Sequence, residues 1–527
     1  MTIDGEWAMT AESPVGEQQF TARLVAEGER LTGTLTGPQG RLEIAKGTVQ
    51  GDEVTWSVSR AVMGMTLRFT GSVAGDELTG KVRVGMLGAF SARGVRSTER
   101  TEPEAEPENT GEAEPGLESP ETRDDPYPFY ARKRRQGPVQ PMPGPMGTTA
   151  WLITGYDQAR AALNDPRFSK HPRFAPQWLR DLGVISEGEG PTGANMLNTD
   201  PPDHTRLRRL VSKGFTPRRV EALRPRIQEI TDGLLNAIAS LGRADLIETF
   251  AYPLPITVIC ELIGVPEADR ARFRSWAAAM VLSPLDEERR EEHDRGGEGM
   301  NGYLAELVER RRRETDASVP PDEQPDLLRA LLAHADADEG RLDERELIGT
   351  LNLLLVAGHE TTANLIGNGT AALLRNPEQL RALRGDPELL APAIEEMLRY
   401  DGPVEQGTLR TAIEDAEIGG VTIPAGSLVT VALGAADRDP ARFPEPDHFD
   451  ISRRDNAHLA FGHGLHFCLG APLARLEGHI AFRGLLERLP DLALGCPPEQ
   501  LRQRPGALPL FRGMAELPIT FTPVTTT

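Results

Sequence analysis

The decapeptide Phe461-Gly-His-Gly-Leu-His-Phe-Cys-Leu-Gly470 concentrates more chemistry than any other part of the chain. One cysteine, Cys468, stands between glycine-rich turns and is followed at once by a helical pattern over Ala471–Leu486. Backbone N–H groups at a helix start favour a thiolate, and a thiolate is a metal ligand. Gly462 and Gly464 permit a tight turn with positive φ, and Gly470 permits close approach of a flat ligand. Three more clusters stand out. Ala357-Gly-His-Glu-Thr-Thr362 interrupts an apolar-rich helical run, so its acid and hydroxyls are not a solvated face. Glu396 and Arg399 stand at i, i+3 and can form a charge-assisted pair. His204 and Arg208 stand at i, i+4 on one helix face, just after Asp200-Pro-Pro-Asp203.

Elements must hold these groups in place. Helical patterns are predicted over Val220–Ile238, Met300–Arg313, Glu344–Leu374 and Pro387–Tyr400, punctuated by Pro217, Pro377 and Pro387. Strand signals in that region are short: Ala150–Thr154, Leu428–Leu433 and Leu517–Thr522. Residues 1–98 read differently. Gly28-Glu-Arg-Leu-Thr-Gly, Gly51-Asp-Glu-Val-Thr-Trp and Gly75-Asp-Glu-Leu-Thr-Gly recur at spacings of 23 and 24 residues. Each copy sets a Gly-acid turn before an alternating strand, which predicts an all-β meander of about eight strands, closed or nearly so, similar in pattern to small lipocalin-like barrels. Between the two regions lies ERTEPEAEPENTGEAEPGLESPETRDD, residues 99–125, with 11 acidic and 2 basic side chains. Such a segment cannot bury enough surface to offset its ordering entropy, so a disordered acidic tether is expected. The predicted division is 1–98, 99–125 and 126–527.

Composition narrows the function. The chain of 527 residues has 58 basic and 79 acidic side chains, a net charge of -21. Residues 1–98 hold -1 of this, the tether -9 and residues 126–527 the remaining -11. Phosphate backbones and anionic lipid would be repelled, which argues against a nucleic-acid or membrane-surface partner. Three cysteines, Cys260, Cys468 and Cys496, exclude a disulfide scaffold and a four-cysteine zinc or iron–sulfur site. No run of about 20 apolar residues occurs and no leader pattern opens the chain, so a cytoplasmic protein without a membrane anchor is expected.

The decapeptide resembles the haem-thiolate signature of the cytochromes P450, Phe-Gly-x-Gly-x-His/Arg-x-Cys-x-Gly, with no departure. The resemblance covers roughly residues 126–527 and none of 1–125. It implies the mainly α cytochrome P450 fold with small β sheets. It also implies haem b (iron protoporphyrin IX), with Cys468 as the iron ligand in a loop that includes Phe461, Gly462 and Gly470, and with His466 on a propionate. His204, Arg208 and Arg410 match the family's other propionate partners. Ala357 and Gly358 match its oxygen groove, and Glu360 and Thr361 its proton relay. His359 is not expected to be a ligand, because it lies on a different side of the helix. Glu396 and Arg399 match the pair that supports the cysteine loop. In Pro446-Asp-His-Phe449, His448 stands where many members have an arginine third partner.

The implied reaction is monooxygenation: one atom of O2 enters the substrate and the other is reduced to water. Residues 1–98 hold no cysteine for a ferredoxin cluster and are too short and strand-rich for a flavodoxin-like domain. The NAD(P)H-derived electrons are therefore expected from a separate ferredoxin and ferredoxin reductase. Arg206, Arg209, Lys213, Arg218 and Arg219 form a basic spot suited to an acidic donor. The layout around Ala150–Asp157 and Arg167–Arg173 is similar to soluble bacterial members that tailor polyketides and macrolides. This implies an apolar small-molecule substrate, free or carrier-bound, and a place in secondary-metabolite biosynthesis. Phe168–Leu197, Cys260–Pro284, Val404–Thr408 and Leu508–Arg512 are the expected pocket segments, with Glu405 facing either substrate or solvent. A peroxide-using or non-oxygenase haem protein is the alternative. For residues 1–98 the readings are a solubility or assembly domain, or a module that binds substrate or its carrier.

Overall fold

The structure, a computed structural model, describes residues 3–524 apart from 13–16, 38–39, 63–64, 85–87, 98–119, 144–147, 182–193, 283–286, 317, 334–341 and 505–509. Most of the predicted tether therefore lies outside the described residues.

The N-terminal region is an antiparallel meander of β1 (Gly5–Ala11), β2 (Gln18–Glu27), β3 (Arg30–Gly37), β4 (Gly40–Glu43), β5 (Lys46–Gln50), β6 (Glu53–Val62), β7 (Met65–Ala74), β8 (Glu77–Val84) and β9 (Gly88–Arg96). Short β4 and β5 share one position between β3 and β6, and β1 pairs with β9, so the sheet closes into a barrel. The sequence repeat is the hairpin turn. Gly28, Gly51 and Gly75 have φ of 66°, 61° and 65° at the first position of loops joining β2–β3, β5–β6 and β7–β8. The acid after each keeps an ordinary φ, which is the II′ pattern. A barrel of this size is just wide enough for its own side chains. Trp7, Met9, Leu24, Trp56 and Phe69 fill it, with Trp56 and Phe69 stacked at 4.0 Å. Gly71 and Gly80 lie against Phe69, where a Cβ would come within 2.6 and 2.7 Å of the ring.

The C-terminal region is mainly helical. Glu344–Arg375 runs through its core, opened by a capping box in which Asp343 and Glu346 bond each other's backbone N–H. Helices Pro253–Ile263, Leu390–Tyr400 and Ala471–Arg488 pack against it. A five-stranded sheet places Val139–Pro143, Thr149–Ile153, Leu428–Val431, Arg410–Ala412 and Phe168–Ser169 side by side in that order. Two predicted helices change. Val220–Ile238 is split into Pro217–Ala222 and Arg224–Ala239, where Pro225 enters the first turn of the second helix. Met300–Arg313 is the end of Glu287–Glu314, whose first half is too polar to show an apolar face and carries pairs such as Arg290–Asp294. The predicted strand Leu428–Leu433 stops at Val431, and Leu433–Ala436 is a helical turn. Pro120–Asp124, assigned to the tether by composition, is helical. Arg512 donates to the carbonyls of Arg123 and Asp124, and Asp124 accepts from the Gln503 N–H at 3.0 Å.

Candidate active site

The cysteine loop folds as its glycines require. Gly462 and Gly464 have φ of 70° and 71°, and a Cβ on Gly464 would meet Asn164 Oδ1 at 2.9 Å. The Cys468 N–H donates to the Phe461 carbonyl at 2.9 Å, closing the loop just before helix Ala471–Arg488. Burial pushes the Cys468 thiol up, while the N–H groups of Gly470 and Ala471, with Arg208 and Arg475, pull the other way. A metal that takes the thiolate removes that proton and makes use of those donors.

Beside this loop the structure gathers His204, His466, Arg208 and Arg410, as the resemblance implies, and adds Lys170. The His204 and His466 rings stand 4.4 Å apart. His204 is 2 % exposed and neither ring nitrogen has a partner. Burial, then Lys170 and the other cations, pushes His466 down to about 2. Burial pushes Arg410 down to about 10, against the pull of Asp200, and holds Lys170 well below its ordinary value with Arg410 adding to the effect. Phe168 pairs with Ala412 and Ser169 with Thr411, so the next register step sets Lys170 opposite Arg410. They are 9 % and 4 % exposed. Asp200 is occupied by the Ser169 hydroxyl and the Lys170 backbone N–H. Arg208 donates to the Phe467 carbonyl at 2.7 Å, tying this cluster to the cysteine loop. Orphaned histidine nitrogens, an excess of buried cations and a donor-backed thiol fit a flat group with two carboxylates and a thiolate-seeking metal, which is the chemistry of haem.

On the long helix the residues expected to form the oxygen groove and relay divide between two faces. Ala357 and Thr361 are open to the same side, and the Thr361 hydroxyl donates to the Ala357 carbonyl at 2.7 Å. Gly358 is turned toward Ile259, where a Cβ would stand 3.0 Å away, so its bareness serves helix packing as well. The helix runs unbroken through the segment. Glu360 is 1 % exposed, as its apolar flanks require. It accepts from Tyr252 Oη at 2.7 Å, from Arg504 at 2.6 Å and from Asn364 Nδ2 at 3.2 Å. His359 faces away from the open side. Its Nδ1–H donates to the Leu355 carbonyl at 2.6 Å, and its Nε2 lies 3.3 Å from Tyr252 Oη.

Glu396 and Arg399 are both fully buried and form a bidentate pair at 2.7 and 2.8 Å. Arg399 also donates to the carbonyls of Asp437, Pro446 and His448. His448 meets Arg399 through its backbone carbonyl. The third charged side chain is Arg453, 3.2 Å from Glu396, with Asn456 at 3.2 Å and the Asp450 N–H at 2.9 Å. A second clamp joins Glu395 to Arg475 at 2.7 Å and to His458 at 3.1 Å, and these partners hold the Glu395 carboxyl down at about 2 against burial.

The predicted basic spot is partly spent. Arg206 pairs with Glu346 and Asp203, and Arg219 donates to the Pro321 carbonyl at 2.7 Å. Glu405 accepts from Tyr130 Oη at 2.6 Å rather than facing solvent. Of the expected pocket segments, 182–193, 283–284 and 508–509 lie outside the described residues. Sequence reasoning missed Lys170, Tyr252, Arg453 and Arg504. None belongs to a local motif, and only Asn364, four residues past Glu360, carried a readable spacing signal.

Helical fold, cysteine loop and polar cluster together define a haem-thiolate protein. The cytochrome P450 family pattern matches residues 267–490. The cytochrome P450 monooxygenase PikC of Streptomyces venezuelae is 52% identical over 397 residues, covering 75% of this chain and 91% of PikC. The 6-deoxyerythronolide B hydroxylase of Saccharopolyspora erythraea is 45% identical over 77% of this chain and 98% of its own. A solved structure of P450BioI in complex with acyl carrier protein ligated to hexadec-9Z-enoic acid superposes with a TM-score of 0.67 at 39% identity, covering 76% of this chain and 100% of that one. The chain belongs to the cytochrome P450 family and is a monooxygenase, similar to bacterial P450s that tailor secondary metabolites. Among the described residues no helix is long and apolar enough to cross a membrane.

Proposed function

We propose that the chain inserts one oxygen atom from O2, by hydroxylation or epoxidation, into an apolar polyketide- or macrolide-like molecule in the cytoplasm. Haem, held through Cys468 and through His204, His466, Arg208, Arg410 and Lys170, supplies the oxygen activation. The observation that carries this reading is the buried cationic cluster beside a donor-backed thiol, a short distance in sequence from an intact Gly–x–Gly loop. Glu360 and Thr361, whose hydroxyl lies on the open face, would relay protons to the reaction. Glu396, Arg399 and Arg453 keep the loop in place. Electrons come from a separate ferredoxin and reductase. NADPH-dependent product formation with a surrogate ferredoxin system is the expected result. Activity with peroxide alone would instead favour the peroxide-using alternative, against which the Glu360–Thr361 pair argues.

The region preceding the haem domain is read as a separate module, 1–98, on the acidic tether. Among the described residues Trp7, Trp56 and Phe69 occupy its lumen, which argues against an apolar substrate inside. The carrier-binding reading is therefore favoured over direct substrate capture, and the P450BioI complex supplies a precedent for a P450 meeting its substrate on a carrier.

A further inference from the structure

The outer face of the barrel carries a charge pattern that the haem chemistry does not use. Four of its eight described cations have an acid at hand. Arg23 stands opposite Glu6, Arg30 opposite Glu27, Arg93 lies 3.5 Å from Glu17 and Arg96 2.9 Å from Asp76. Lys46, Arg68, Lys81 and Arg83 are exposed, and among the described residues their side chains make no ion pair.

The register lines them up. Lys46 is across from Ser57, Ser57 from Arg68, and Arg68 from Arg83, so three cations share one row over β5–β8. Lys81 is one row along, beside Thr70 and Ser91. At strand spacing the row spans about 14 Å, and the two rows together are about 7 Å deep. Like charges directly opposite one another, as Arg68 and Arg83 are, destabilise a sheet. A chain with 79 acidic side chains sets none between them. Such a row is relieved by an anionic partner, and the exposed Thr70 and Ser91 hydroxyls beside Lys81 add donors for phosphate or carboxylate oxygens.

We propose that the Lys46–Arg68–Arg83 row, with Lys81, docks an acidic carrier protein whose substrate hangs on a phosphate-linked arm. This rests on the carrier reading of the barrel and assigns it a surface. A compact acidic patch matches four cations. A nucleic-acid duplex would extend past them into the field of a chain of net charge -21.

The test uses the full-length haem-loaded protein, a purified acidic acyl carrier protein in acylated form, and the free fatty acid as a second probe. Carrier binding should weaken with salt, and R68E/R83E should lose at least about tenfold in affinity. The spectral shift caused by free fatty acid should be unchanged, because the haem pocket is untouched. Barrel tryptophan fluorescence checks folding, and R68Q/R83Q, with a smaller expected loss, serves if charge reversal unfolds the barrel. Equal carrier affinity in R68E/R83E overturns the surface while leaving the carrier reading. No carrier binding to the unaltered chain at low salt overturns the carrier reading itself. Tighter binding of duplex DNA than of carrier, lost in R68E/R83E, overturns the choice of partner.

Discussion

Replacing Lys170 by methionine should move two observables in opposite directions. Lys170 is 9 % exposed and stands opposite Arg410, which is 4 % exposed, while Asp200 is already engaged. In the haem-free chain this is a desolvated like-charge pair, costing about 0.2–1 kcal/mol for the opposition alone. Burial holds the Lys170 pKa well below its ordinary 10.5. The haem-free native state therefore binds fewer protons than the unfolded state in that window, and its stability rises with pH up to 10.5. K170M removes both the opposition and the slope, so the haem-free protein should melt no lower than wild type and with less pH dependence. If Lys170 holds a propionate of bound haem, as proposed, that charge-assisted hydrogen bond would be worth about 1.5–3 kcal/mol. Haem transfer to apomyoglobin should then accelerate by about tenfold to a hundredfold in K170M, and much less in K170R. Unchanged transfer from K170M would refute the assignment. A haem-free K170M that melts well below wild type would show that Lys170 acts by packing and not by charge.

Cys468→Ser should leave haem bound weakly through the cationic cluster and abolish the thiolate signature of the reduced carbonyl complex. Arg399→Ala strips a buried carboxylate of its bidentate partner and removes the side-chain donor from the carbonyls of Asp437 and Pro446, which should cost about 3–5 kcal/mol in denaturant unfolding and release haem. Glu360→Gln should lower the turnover number, measured as the rate of product formation, far more than substrate affinity, and Arg504→Ala should lower it in the same sense without shifting substrate binding. Glu477 is buried with Oε2 unpartnered, and burial pushes its carboxyl from 4.5 up to about 8. The native state thus binds more protons than the unfolded state across that window, so stability falls as pH rises through it, and E477Q should flatten the fall.

The parts of this site legible in the sequence are those whose geometry is local. Gly462 and Gly464 had to adopt positive φ because of the turn they form, and they do. Glu396 and Arg399 meet because i, i+3 neighbours share a helix face. The Gly28, Gly51 and Gly75 turns announced the barrel because a II′ hairpin needs glycine at its first position. Partners brought together by tertiary packing left no local trace. Lys170 meets Arg410 through strand register across more than 200 residues, and Arg504 reaches Glu360 from the last loops of the chain. Arg453 is the cation that reaches Glu396, because a carboxylate at the end of a buried helix takes whichever cation the following loop brings near. The helix Glu287–Glu314 was half hidden because ion pairs along its polar half leave no apolar period to read.

The placement of Glu360 sharpens the proton argument. Both carboxylate oxygens are committed: one to Tyr252, the other to Arg504 and Asn364. Thr361, its sequence neighbour, opens on another face with its hydroxyl donated to Ala357. Proton transfer between them thus depends on exchanging partners, since adjacency along the helix does not aim the two groups at each other. Arg504 is the member of this network with appreciable solvent exposure, its side chain 21% exposed against 1% for Glu360. It is therefore the place where the buried acid meets water. Its backbone neighbour Gln503 is held by Asp124, in the helix Pro120–Asp124, and Arg502 lies 3.5 Å from the same carboxylate. That helix thus anchors the same short loop that holds the acid.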